Sequence, residues 1–353
     1  MHLIGRLYII FLFFTNVLFA QDIHFLNYRD LSAVFNPALT ASDARFKASV
    51  IHKEQWKSVT NSFKTYGANI ELRLLGKTKQ KKSSSLSNSK FGGLNAGLLF
   101  LSDKAGGGIL NRNRAALSLS SGVKLNEQHK LSAGLTGSYM LCRLDYSGLL
   151  FPNQYNGFSY DAAVASGETF VLQQYTVFDV ASGMLWTFDR NVKGFDVNKL
   201  FNARLGFSVH HLVRASSEFL PVNSREQFRM VMHGDFTKST GIKNMSVSPE
   251  FLFQLKGPAS EFLIGNMFRH YFSYSTRYTG HNKQSSFAYG VYYRFRDAFV
   301  FAVNLGIREQ YTFFASYDLN VSPLRVASSY RGGFELGIRY TAPQSFLYKE
   351  KQR

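Results

Sequence analysis

The sequence predicts an all-β chain: a transmembrane antiparallel β-barrel of the outer-membrane type, with about 14 strands. Three observations predict it. The chain opens on an export signal, it contains no later apolar run long enough for a membrane helix, and it repeats segments of about ten residues in apolar–polar alternation.

The export signal comes first. Residues 1–5 are followed by Arg6, then by the apolar run Leu7-Tyr8-Ile9-Ile10-Phe11-Leu12-Phe13-Phe14, and Val17-Leu18-Phe19-Ala20 ends it before polar Gln21-Asp22. A positive start, a short apolar stretch and a small residue at the end mark a secretory signal peptide. The reading assigns 1–20 to that peptide, with the cut after Ala20; Leu18 is larger than the usual residue at its position. The run is short for a span, which needs about 20 apolar residues. Gln21, not a cysteine, stands directly after the cut, so lipoprotein processing is not expected there.

Past the signal, every apolar stretch is interrupted by Lys, Arg, Asp, Asn or Gly. Within lipid only a helix or a closed barrel satisfies its backbone, so an exported chain that enters the membrane without apolar helices must close a sheet. The composition suits that: 34 Phe, 19 Tyr and 28 Gly against 7 Pro supply aromatic girdles and small residues for close strands.

The remaining elements follow in order. Residues 21–45 read as an N-terminal periplasmic segment, 46–341 as the barrel and 342–353 as a polar tail. Strands are expected near 46–56, 62–74, 92–101, 114–124, 129–143, 176–189, 201–213, 225–237, 244–255, 260–272, 284–295, 297–308, 310–319 and 332–341. In 115–124, Ala115, Leu117, Leu119 and Val123 share one face, and Ser118, Ser120, Gly122 and Lys124 the other. The link Asn126-Glu127-Gln128 joins this stretch to 129–142 as a hairpin, where Leu131, Ala133, Leu135 and Tyr139 repeat the alternation. A similar link at Arg308-Glu309-Gln310 joins 298–307 to 311–319. The last unit sets Phe334, Leu336, Ile338 and Tyr340 against Glu335, Gly337 and Arg339, as suits a barrel-closing strand. An even strand number puts both ends on the periplasmic side. Residues 145–175 and 321–331 then fall outside the cell, and the Lys/Ser-rich stretch 77–90 becomes a solvated periplasmic loop.

The net charge of +18 is scattered along the chain, and with an export signal it does not point to nucleic acid. Anionic lipopolysaccharide, outer-membrane lipid, a polar lumen or an acidic protein surface suits it better. The single thiol, Cys142, excludes an intramolecular disulfide and reads as a small apolar barrel residue. No G-x-S-x-G elbow, H-E-x-x-H, cysteine cluster or P-loop is present. His210-His211 is the one metal-like pair, but neighbours on a regular strand point to opposite faces. Asp179 and Asp189 belong to no catalytic pattern. The reading is therefore of a chain that is not an enzyme and needs no cofactor or metal.

Three stretches go beyond general barrel character. The first is Gln21-Asp22-Ile23-His24-Phe25, Asn27-Tyr28 and Phe35-Asn36-Pro37-Ala38-Leu39-Thr40. The second is His52-Lys53-Glu54-Gln55-Trp56 with Thr65-Tyr66-Gly67-Ala68. The third is Ser316-Tyr317-Asp318-Leu319-Asn320-Val321-Ser322, Leu324, Ala327-Ser328 and Gly332-Gly333-Phe334-Glu335-Leu336. Together, in this order, they resemble the PorP/SprF family of membrane proteins associated with the type IX secretion system. The chain departs from the family's Tyr-Arg-x-Gln-Trp at His52 and Lys53. The resemblance implies an outer-membrane barrel that helps secreted cargo, such as a gliding adhesin, reach or stay at the cell surface. It implies contact with the cargo's C-terminal domain and with other secretion components, without catalysis. An outer-membrane porin or solute channel is the alternative that the strand pattern equally supports.

The motif residues also have physical readings. Pro37 fixes its own φ and biases Asn36 to extended backbone, so that Asn36-Pro37-Ala38 forms a turn before the first strand. Trp56 suits an aromatic girdle at a strand end, next to Gln55. Asp318, Asn320 and Ser322 near a strand end can cap a loop. Gly332-Gly333 permits a sharp return into the last strand, which carries Phe334 and Glu335. These residues, with Tyr317, are the candidate structural or partner-binding positions.

Overall fold

The computed structural model describes residues 24–57, 62–74, 91–106, 109–146, 148–168, 174–190, 201–214, 216–217, 224–242, 244–272, 285–308, 310–326 and 328–342. The expected signal peptide, the 77–90 loop and all but the first residue of the polar tail lie outside these residues.

Fourteen strands close into one antiparallel barrel. They are β1 (Phe46–Gln55), β2 (Phe63–Arg73), β3 (Phe91–Ala105), β4 (Leu110–Lys124), β5 (His129–Leu144), β6 (Gln174–Asp189) and β7 (Phe201–His210), then, past a small ladder of β8 (Ser216–Ser217) and β9 (Ser224–Arg225), β10 (Arg229–Ser239), β11 (Met245–Lys256), β12 (Ala259–Tyr271), β13 (Ser286–Arg294), β14 (Ala298–Ile307), β15 (Tyr311–Asn320) and β16 (Arg331–Thr341). Each barrel strand pairs with the next in the chain, and β1 pairs with β16 to seal the ring, with Lys53 opposite Glu335 and Ser49 opposite Arg339. Closure leaves no sheet edge unpaired, which is what hydrocarbon demands.

Alternation decides which side chains face out. On β14, Phe299, Phe301, Val303, Leu305 and Ile307 are exposed while Ala298, Val300, Ala302, Asn304 and Gly306 are buried. On β4, Leu117 and Leu119 point out and Ser118 and Ser120 point in; on β16, Phe334, Leu336 and Ile338 point out and Glu335 in. The outward face is thus the apolar band. Aromatic contacts mark both its rims. Phe46, Tyr311 and Tyr340 meet at the end where β1 starts, as do Phe188, Phe201 and Phe236. Trp56 with Phe63, Phe262 with Phe295, and Tyr293 with Phe299 meet at the other.

We call the end where β1 begins and β16 finishes the terminal end, and the opposite one, with the β5–β6 and β15–β16 connections, the distal end. Both chain ends of the barrel lie together, as the even strand number requires. Four boundaries move by three residues or more, one of them the start of β10, expected near 225 and found at Arg229. β3 and β4 run four residues further at the distal end, where Asp103 pairs with Arg112 (3.7 Å) and accepts from Thr65 (2.8 Å), so polar residues stay in the ladder beyond the apolar band. β7 stops at His210, because His211 adopts φ 62° and leaves the strand.

The largest difference concerns 21–45. Its described part, expected as a segment ahead of the barrel, fills the barrel instead. Its short turns Tyr28–Asp30, Ser32–Phe35 and Pro37–Leu39 are buried. Phe25, Leu26, Tyr28, Leu31, Val34, Phe35 and Leu39 form one apolar cluster with inward residues around the ring, among them Ile51, Leu99, Leu185, Val231, Met267, Ala288 and Phe314. The reason is the hydrophobic effect: this much apolar surface cannot stay in water when a lumen is available.

Candidate functional site

The site is the lumen and the segment that fills it. The segment starts at the distal end and finishes at the terminal end, where Arg45 leads into β1. It is short on secondary structure, so its backbone polar groups need partners from the wall. The wall supplies them one by one. Lys53 Nζ donates to His24 O (2.8 Å), Lys47 Nζ to Arg29 O (2.8 Å), and Ser49 Oγ and Asn69 Nδ2 to Asp30 O (2.8 and 3.0 Å). Further along, Arg229 donates to Val34 O (3.2 Å), Ser208 and His210 donate to Phe35 O, and Ser120 Oγ donates to Thr40 O (2.9 Å). Two buried carboxylates accept from the segment: Glu335 from Leu26 N (3.0 Å) and Asn27 N (3.2 Å), and Glu71 from Ala41 N (2.6 Å) and the Ser32 hydroxyl (2.7 Å).

Ion pairs cross the same interface. Arg339 meets Asp30 at 3.0 Å, Arg29 meets Asp235 at 2.9 Å, and Arg204 meets Asp43 at 2.6 Å. Some of the chain's basic side chains therefore face inward, paired with carboxylates.

The described part of the first family stretch, from His24 on, lies in the lumen. Asn36 Nδ2 donates to Met184 O and to His233 Nε2, both at 3.0 Å, while Asn36 Oδ1 accepts from Ala38 N at 2.9 Å. Pro37 and Ala38 lie in the turn that this cap begins. The turn presses into a notch in β5 and β6 that exists because two wall positions lack side chains. A Cβ on Gly134 would stand 2.5 Å from the Pro37 carbonyl carbon, and one on Gly183 would collide with Asn36 Oδ1. The sequence reading of a turn holds, but it is a turn inside the barrel.

The second and third stretches meet the start of the segment at the distal end. Gln55 Nε2 donates to His24 Nε2 (2.8 Å). Trp56 N donates to Gly332 O (3.0 Å), and its ring stands edge-on to Phe63, at a strand end as expected. Lys53 is 1% exposed and lies 3.8 Å from both Asp318 and Glu335; Arg294 pairs with Asp318 at 3.0 Å. Asn320 Oδ1 accepts from Ser322 N (2.9 Å) and Ser322 Oγ (2.6 Å), and its Nδ2 donates to Ser328 (3.2 Å), so the loop cap expected there is present. Tyr317 and Phe334 point outward. Gly332 and Gly333 have no left-handed φ; the positive φ values fall on Ser329 and Tyr330. What Gly332 supplies is room, since its Cβ would stand 2.6 Å from Asp318 O, beside the register shift between Tyr317 and Leu319.

Thus ten of the thirteen motif positions, all but Trp56, Tyr317 and Phe334, touch the filled lumen or frame its distal mouth. Pattern reading passed over Lys47, Ser49, Glu71, Ser120, Ser208, Arg229 and His233. Each is an inward polar residue, which a water-filled lumen explains equally well, so the pattern alone held no sign of a segment to bind. His210 faces the lumen, while His211 turns to Asp179 (3.1 Å). Among the described residues no group of three or more His, Cys, Asp and Glu side chains is placed to hold a metal ion. Cys142 is buried on the inward face of β5.

Among solved structures the chain is similar to a Pseudomonas aeruginosa FadL homologue, at 10% identity over 88% of this chain and 94% of that one (TM-score 0.40). It is similar to the CymD monoaromatic hydrocarbon channel, at 9% identity over 89% and 93% (TM-score 0.41). A third similar structure is the Acinetobacter baumannii outer membrane protein Omp33, at 9% identity over 85% and 98% (TM-score 0.38). No curated protein matches. The family model described as type IX secretion system membrane protein PorP/SprF matches residues 17–340, nearly the whole chain, and the chain belongs to that family.

Proposed function

We propose that this outer-membrane barrel serves the type IX secretion system as an accessory that helps a secreted cargo protein, such as an adhesin, reach or stay at the cell surface. It acts by binding protein, without chemical turnover. Its partners are the cargo's C-terminal domain and other secretion components, and its setting is the lipid and lipopolysaccharide of the outer membrane, after cleavage near Ala20.

One observation carries the reading: the lumen is occupied by the chain's own segment, held by wall contacts along the length from His24 to Ala41. A barrel closed in this way offers partners its rims and loops instead of a path for solutes. Family membership supplies the secretion context. The test is deletion of the gene followed by surface proteomics. Loss of one or more type IX cargo proteins from the surface is expected; unchanged display of all of them rejects the accessory role. In planar bilayers the intact chain is expected to give no stable pore, and a persistent open conductance favours a solute channel instead.

A further inference from the structure

We propose that residues 148–168, in the β5–β6 connection at the distal end, form a protein-docking surface that fits a partner carrying an aromatic-accepting recess ringed by lysine and arginine. The proposal rests on the accessory reading above and names the surface that reading lacks.

The loop is a built object. Gln154, itself buried, ties its two sides: Oε1 accepts from Phe151 N (2.9 Å) and Nε2 donates to Val164 O (2.9 Å). Asp161 N donates back to Gln154 O (2.8 Å), and the rings of Tyr155 and Tyr160 stand 5.1 Å apart across a β-bridge. At the tip, Asn156 Oδ1 accepts from Phe158 N (3.0 Å) and Ser159 N (2.9 Å), and Gly157 takes φ 95°. These bonds hold out Phe158, which is 96% exposed, with Leu150, Tyr155, Tyr160 and Val164 also exposed around it.

Leaving a phenylalanine in water forgoes the stabilisation that burial of its ring would supply. A loop already ordered has little freedom left to lose on association. Rigid aromatic side chains in such loops are typical anchors of protein interfaces. The occupant's chemistry follows from charge. Between β5 and β6, from Asp145 to Gln173, the sequence has no Lys, Arg or His, but has Asp145, Asp161 and Glu168, in a chain of net charge +18. An acidic loop is repelled by anionic lipopolysaccharide, so these aromatics are not a membrane foot. It attracts a basic rim, which also steers the encounter.

The experiment uses the full-length chain in its native cells, with a photoreactive benzoylphenylalanine at position 158. A crosslink to a type IX cargo protein is expected. It should vanish when secretion is blocked and fall by about fivefold when Glu168→Lys is added, the size of a rim charge pair of about 1 kcal/mol. Phe158→Ser should reduce surface retention of the same cargo while the barrel stays folded by heat-modifiability. Crosslinks to lipopolysaccharide, to a second copy or to nothing, with cargo display normal in Phe158→Ser, overturn the docking surface. If gene deletion still depletes surface cargo in that case, the accessory reading survives alone; if deletion changes nothing, both fail.

Discussion

Removing the Glu335 carboxylate should release the start of the lumenal segment without unfolding the barrel. Glu335 is buried on β16, accepts from Leu26 N, Asn27 N and Asn27 Nδ2 at 3.0–3.2 Å, and lies 3.8 Å from the equally buried Lys53. Glu335→Ala leaves two backbone N–H groups without an acceptor and removes one of the two carboxylates near the Lys53 ammonium. Breaking a buried pair by deleting one partner costs about 3–5 kcal/mol. At about 1.4 kcal/mol per tenfold, the local opening equilibrium rises by about two to nearly four decades. Hydrogen exchange of the full-length protein in detergent reads this directly. Amides of residues 26–31 should exchange at least about a hundredfold faster than in the parent, while the β10–β15 amides keep their protection. Lys53→Met should loosen the start of the segment as well, because Lys53 Nζ donates to His24 O. Unchanged exchange at Leu26 and Asn27 would refute the claim that the carboxylate clamps the segment. Equal loss of protection throughout the ring would refute the claim that the segment opens as a separate unit.

Other consequences can be checked independently. Gly134→Val puts a side chain where the Pro37 carbonyl carbon already stands 2.5 Å from an ideal Cβ, an overpacking of about 1–3 kcal/mol, and should produce ion conductance in bilayers where the parent gives none. Phe301→Arg, on the outward face of β14, should cost about 2–4 kcal/mol in liposome folding titrations, and a cost below about 1 kcal/mol would place that face away from lipid. In a Cys142→Ser background, a cysteine replacing Lys57 at the distal end should react with an impermeant maleimide on intact cells. One replacing Gln128 in the β4–β5 turn should react only after permeabilisation, and the reverse pattern would invert the barrel.

The ring was legible because strand periodicity is local and unambiguous. Ser118 and Ser120 against Leu117 and Leu119 fix the faces of β4 with no knowledge of its neighbours, and Ala298–Ile307 and its successor were bounded to the residue or within one. The lumenal segment was legible only as a motif. Its side chains follow neither the strand nor the helix period, because three short turns break it up. Its partners are far along the chain: Asn36 meets His233, and Leu26 meets Glu335. One sign was available. Phe25, Leu26, Tyr28, Leu31, Val34 and Phe35 are too apolar for a segment left in the periplasm. The Gly332-Gly333 pair illustrates a second limit, since a glycine needed for space and one needed for its φ look the same in sequence.

The seam between β1 and β16 has a consequence for assembly. The segment precedes β1 directly, yet it is gripped by Glu335 and Arg339 from the final strand, 309 residues further on in each pair. Nothing can complete that grip until the whole polypeptide has been laid down. The last strand to arrive therefore closes the wall and locks the filling in one event, a slow, high-contact-order step. During biogenesis the hydrophobic filler must wait, exposed or chaperoned, while twelve intervening barrel strands are paired. Once in place, it can leave only by slipping out lengthwise or by parting the ring.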